Sequence, residues 1–181
     1  MNVKGTIFIL IILLSLAGTA VTGKAQPHHQ PGEYDIKAAF LYNMIKFTEW
    51  PTEFQGARSS VINLCVLGDD PFGSSLNTVD GQVIKNRKIA VRRIHSLQQL
   101  RDCQVLFISA SEGANLRRIV NTTSEANILT VADTDDFARK GVIINFYISD
   151  RKVRFEINTQ AAERARLKIS SNLLKLGNVV R

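Results

Sequence analysis

Val61-Ile62-Asn63-Leu64-Cys65-Val66-Leu67 runs directly into Gly68-Asp69-Asp70-Pro71, and this junction decides the fold. A short run broken only by Asn63 suits a strand covered on both faces better than a helix. The next four residues turn the chain. Pro71 then fits the first position of a helix through about Val79, where a missing N–H costs nothing. A strand buried on both sides and followed by a helix is the repeating unit of a parallel sheet.

The same alternation recurs outward from that point. Downstream, 88–94 reads as a second strand, 96–101 as a short helix and 105–108 as a third strand. Ser109 and Glu112 have the spacing of a capping box at the start of a helix to about Val120. A fourth strand follows at 128–131, then a short helix opened by Asp133 and Asp136, since a helix's first turn favours acids. Segments 142–148 and 152–157 flank Ser149-Asp150-Arg151 as a hairpin. The terminal stretch 161–180 reads as largely helical, with a break near Ile169-Ser170-Ser171. Upstream, 34–47 has a broad apolar helical face through Ile36, Phe40, Met44 and Phe47, and Trp50-Pro51 ends it. Together these predict one three-layer α/β domain over 34–181, its sheet mostly parallel and finished by an antiparallel hairpin.

Composition agrees with that reading. In 181 residues, 45% are hydrophobic and 22% charged, which supports a packed core and argues against disorder. Lys and Arg number 23 against 16 Asp and Glu, a formal charge of +7. No run concentrates the excess, so nucleic acid is not an expected partner.

The first 25 residues have the form of an export signal. Met1 to Lys4 is short and basic, 6–16 is almost wholly apolar, and small residues follow. Cleavage is expected after Ala20 or Ala25, with 26–33 a flexible lead-in carrying two prolines and two histidines. The expected location is the periplasm. In that setting the even pair Cys65 and Cys103 suggests one disulfide, whereas in the cytosol the pair would read as two buried thiols.

Catalytic patterns are not evident. The loop 68–73 lacks the glycine spacing of a dinucleotide site and the Gly-Lys-Ser/Thr of a phosphate loop. Asp69 and Asp70 have no further metal ligands nearby in sequence, and no serine sits in a Gly-x-Ser-x-Gly elbow. The expectation is a protein that is not an enzyme and needs no cofactor or metal. Surface chemistry is more suggestive: Arg151, Lys152 and Arg154 interleave with Val153 and Phe155, giving one cationic strand face and one packed face.

Seven blocks together resemble the YfiR-like family of periplasmic regulators: 34–43 (YDIKAAFLYN), 46–51 (KFTEWP), 65–73 (CVLGDDPFG), 106–109 (LFIS), 129–133 (LTVAD), 153–158 (VRFEIN) and 167–171 (LKISS). The resemblance implies a Rossmann-like three-layer fold, frequent dimerisation and no established enzymatic activity. It implies a partner too, the periplasmic sensor domain of an inner-membrane diguanylate cyclase. Binding holds the cyclase off and so limits cyclic-di-GMP and biofilm formation. Cys65 and Cys103 match positions where the family carries a disulfide, while a second pair found in some members is absent here. A regulator of this kind needs a binding surface, which is expected to include Arg154, Glu156 and Asn158 near the hairpin, with Lys168, Ser170 and Leu174 on the terminal helix. A periplasmic small-ligand binder, with its ligand at the strand ends, is the alternative expectation.

Overall fold

The computed structural model describes residues 32–52 and 59–181; the expected leader 1–25 and most of the lead-in 26–33 lie outside them. Helix α1 (Glu33–Lys46) leads into β1 (Thr48–Glu49) and β2 (Val61–Leu67). Next come β3 (Val83–Ile84), β4 (Arg87–Ile94), β5 (Val105–Ile108), α2 (Leu116–Thr123) and β6 (Leu129–Ala132). The chain ends with β7 (Ile144–Ser149), β8 (Lys152–Asn158), α3 (Thr159–Arg164), β9 (Lys168–Ile169), α4 (Ser171–Leu174) and β10 (Asn178–Val180). Three-residue-per-turn helices at Gly73–Thr78, Leu97–Asp102 and Ala110–Asn115 join several of these elements.

Eight of the strands form one sheet in the order β10-β8-β7-β6-β5-β2-β4-β3. β4, β2, β5, β6 and β7 are mutually parallel; β8 returns antiparallel to β7 and β10 lies parallel to β8. The five parallel strands thus stand in the doubly wound order, with the sequence of strands across the sheet reversing between β2 and β5. The expected α/β class, with a mostly parallel sheet and a terminal hairpin, is the one observed.

Alternation along the strands builds two cores. Leu64, Val66, Phe107, Val131, Phe146 and Phe155 pack on one face beneath Leu41 and Met44 of α1. Phe107 anchors this side with its ring 4.7 Å from that of Phe72. Cys65, Leu67, Leu106, Ile108 and Ala132 face the other way, against Leu116 and Ile119 of α2. Both layers are needed because strands buried on two sides leave no face for water.

Three expectations are corrected. The terminal stretch 161–180 is not one helix: Arg166 takes a left-handed φ of 54°, ending α3 after Arg164. Beyond it β9 pairs antiparallel with β1, Thr48 opposite Ile169, and β10 joins the sheet with Asn178 opposite Glu156. Edge pairing satisfies backbone groups while Leu167 and Leu173 still reach the core, so two-residue strands displace helical periodicity. Gly177 permits this route, since a Cβ there would lie 2.6 Å from Phe155 Cε2. Second, Ser109 and Glu112 form no capping box. The Glu112 N–H donates to the Ser109 carbonyl at 3.0 Å, and the Glu112 carboxylate accepts from Asn115 Nδ2 at 2.9 Å. Third, Asp133 and Asp136 open turns instead of a helix: Asp136 has φ 66°, and Asp133 is engaged elsewhere.

Candidate functional site

Open sheets with this strand order usually bind ligands beyond the carboxyl ends of the strands, at the reversal point. Here that point lies between the loops after β2 and β5, and the two loops close on each other. Ser109 N–H donates to the Leu67 carbonyl at 3.1 Å, and Asp69 N–H donates to Ser111 Oγ at 2.9 Å. Gly68 has φ 88°, and a Cβ on it would stand 2.5 Å from Ser111 Oγ, so the chain needs glycine there.

The neighbouring strand end is plugged from α1. Lys37, only 3% exposed, donates to Asp133 Oδ2 at 2.7 Å and pairs with Glu33 Oε1 at 2.5 Å. Tyr34 OH donates to the same Asp133 oxygen at 2.9 Å. Burial pushes the Lys37 ammonium down, but its bonds to Asp133 and Glu33 outweigh that and hold it above its ordinary value. Burial, reinforced by the Asp133 carboxylate, also raises the Tyr34 phenol. Lys37, Glu33, Tyr34 and Asp133 satisfy one another and close this strand end. The hydroxyls of Ser109 and Thr134 find no partner among the described residues.

A second place is more open. Phe155 and Ile157 of β8 belong to the α1-side core, so Arg154, Glu156 and Asn158 must face the other way. On that face the register sets Ala132 opposite Asn145, Asn145 opposite Glu156, and Glu156 opposite Asn178. The apolar α2-side core ends at Ala132 and Val142. Beyond it the face turns polar, and a cavity of about 440 Å³ opens there. Its floor includes Asn145, Tyr147, Glu156 and Asn178, and its wall Asp135, Asp136 and Arg139.

The six residues expected to meet a partner are therefore divided. Arg154 is exposed and Glu156 half-buried on the polar face. Asn158 is buried and fully used: Oδ1 accepts from Ala161 N–H at 2.8 Å to cap α3, and Nδ2 donates to the Ala138 carbonyl at 2.7 Å. Lys168 pairs across from Glu49 and borders a separate cavity of about 370 Å³ with Trp50 and Arg166. Ser170 caps α4 through the Leu173 N–H, and Leu174 packs against the α1-side core. Cys65 and Cys103 are joined, their Cα atoms 5.9 Å apart and both residues buried. Sequence reasoning missed Asn145, whose signal was a single amide inside the apolar run 142–148.

Comparison with known proteins places this geometry. Residues 34–178 match the DUF4154 family, described as YfiR/HmsC-like. No curated protein matches the chain. Among solved structures, a conserved domain protein from Vibrio cholerae O1 biovar El Tor is similar with TM-score 0.52 and 8% identity, over 84% of this chain and 61% of that one. The chain thus spans about three fifths of that protein's length, and the likeness concerns fold alone. An ABC domain from Streptococcus pneumonia, in complex with L-Trp, aligns at TM-score 0.47 and 8% identity over 66% of this chain and 55% of its own. With the family matched along most of its length, this chain belongs to the YfiR/HmsC-like family.

Proposed function

We propose that this protein is a periplasmic regulator that binds the sensor domain of an inner-membrane diguanylate cyclase and represses it, limiting cyclic-di-GMP and biofilm formation. Family membership over 34–178 carries the reading. One feature supports it: at the usual ligand crevice the loops after β2 and β5 close on each other and Lys37, Tyr34 and Asp133 satisfy one another, as expected of a chain that works through its surface. Among the described residues no helix is long and apolar enough to cross a membrane.

The docking surface is proposed at the hairpin end of the sheet. Ile148 is 51% exposed beside the turn that carries Arg151 and Lys152, Leu176 is 68% exposed just before β10, and Arg154 is exposed on the opposite, polar face of the hairpin. Exposed apolar groups flanked by arginines have the composition of an interface centre. Leu176→Asp and Arg154→Glu are each expected to weaken capture of the cyclase sensor domain by about tenfold or more. Because both side chains are exposed, stability should stay within about 0.5 kcal/mol of the parent. Binding measured by biolayer interferometry, with thermal melts alongside, checks both halves, and unchanged affinity in both variants moves the interface elsewhere.

The repression itself is tested in cells. Deleting the gene should raise cyclic-di-GMP, and complementation should restore the parental level. A repressor acts only through differential affinity for the partner's states, so complementation with Leu176→Asp should restore it poorly. An unchanged nucleotide level in a strain that normally expresses the protein removes the cyclase as its target.

A further inference from the structure

Asn145, one of the residues lining the cavity on the polar sheet face, carries a buried acceptor with nothing to accept from among the described residues. Asn145 is 1% exposed, and its Nδ2 donates to the Phe146 carbonyl at 3.3 Å. That contact fixes the amide, because flipping it would set two oxygens against each other. Oδ1 is left without a hydrogen-bond partner among the described residues, although Asn145 lines the cavity. A buried acceptor in this state is costly, and its persistence at a cavity wall points to a donor arriving from outside.

The surroundings define that donor. Glu156 stands directly across from Asn145 in the β7–β8 register, and Asn178 is next in the row. Asp135 and Asp136 face them from the turn, and against these three carboxylates stand Arg139 in the lining and Arg154 at the rim, opposite Tyr147 on the same face. The pocket is thus net anionic on a protein whose formal charge is +7. Tyr147 adds an aromatic ring, a further favourable neighbour for a cation. A bare metal ion fits poorly: no group of three or more His, Cys, Asp or Glu among the described residues converges as a metal site. A cation that donates hydrogen bonds and occupies volume is what remains.

We propose that this cavity binds a small organic primary ammonium compound of the alkyl diamine class, one ammonium donating to Asn145 Oδ1 and the Glu156 carboxylate. The site stands on this chain's own geometry and holds whether or not a cyclase is the partner.

Calorimetric titration of the purified exported protein with 1,4-diaminobutane and 1,5-diaminopentane tests it, with butyrate and magnesium chloride as comparison titrants. One-site saturable binding is expected for the diamines, with Kd below about 1 mM. Glu156→Gln should weaken it by about tenfold or more, since a charge-assisted hydrogen bond is lost. Asn145→Leu should abolish binding and also raise the melting temperature of the unliganded protein, because the orphan acceptor is gone. Glu163→Gln, an exposed change on α3, should leave the affinity as it was. The proposal fails if neither diamine saturates, if magnesium binds in preference, or if Glu156→Gln and Asn145→Leu both bind like the parent. Asn145→Leu with a lowered melting temperature and intact binding would likewise assign the amide a purely structural role.

Discussion

Replacing both Cys65 and Cys103 with alanine is expected to lower the unfolding free energy by about 4 kcal/mol and the melting temperature by roughly 10 °C. The cysteines are 38 positions apart, and the loop they close holds β3, β4 and two of the short helical turns. In the unfolded chain that loop is long, so cross-linking its ends removes much conformational freedom. The bond also sits where packing can use it. Cys65 and Cys103 are 0% and 1% exposed, within the apolar cluster of Leu67, Ile94, Leu100 and Leu106. A reductant reaches these sulfurs only after local opening, so mild dithiothreitol should leave the folded protein oxidised while denaturant with dithiothreitol reduces it. Urea unfolding of the oxidised, reduced and double-alanine forms checks the argument. The last two should share a midpoint well below the first. A double-alanine loss under about 1 kcal/mol would mean that native-state strain cancels the entropic gain.

That staple was legible in the sequence, and the reason separates what could be read from what could not. An even cysteine count behind a leader of export-signal form is a property of the whole sequence, independent of tertiary detail. The strands at 61–67 and 105–108 were equally plain, because burial on both faces leaves a continuous apolar run. The hairpin was legible too: its two-residue loop, Asp150-Arg151, takes φ of 51° and 59°, and Asp tolerates that conformation. By contrast β1, β9 and β10 are two or three residues each and carry no period of their own. β10 exists because the β8 edge offers unpaired backbone groups, and β1 and β9 because each offers them to the other; only the folded chain brings these partners together.

The candidate site followed the same rule. Arg154 and Glu156 stood out as charges alternating with buried residues, and both do face away from the core. Asn158 shares their parity but lies against the 138 turn and the start of α3, so its amide is consumed by the fold. Asn145 was invisible as a site residue because 142–148 reads as an apolar strand. Its meaning depends on cross-strand register with Glu156, and periodicity along one strand cannot supply that. Residue type announced surface chemistry; only pairing assembled it into a pocket.

Lys37→Met is expected to cost about 3 kcal/mol, the second-largest loss predicted for this chain, because it strands a buried carboxylate. The Asp133 side chain is 7% exposed and, among the described residues, would keep the Tyr34 hydroxyl as its one side-chain donor. Exposed Glu33, at 46%, can turn to water, so the penalty falls mainly on Asp133. The paired variant Lys37→Met/Asp133→Leu should recover most of the loss, since desolvated charges are then replaced together. The pH dependence has a definite sign. Lys37 and Tyr34 are both raised in the folded state above ordinary values of 10.5 and 10.0. For each, the stabilising protonated form is fully present below the unfolded value and is lost as pH rises through the folded one. The parent should therefore lose stability steadily above about pH 10, and Lys37→Met more shallowly, since only the Tyr34 contribution remains. Urea midpoints of both proteins across the alkaline range decide this. Parallel curves would mean that the α1 ammonium contributes packing alone, and the closure of the strand ends would then rest on the Gly68 and Ser111 loops.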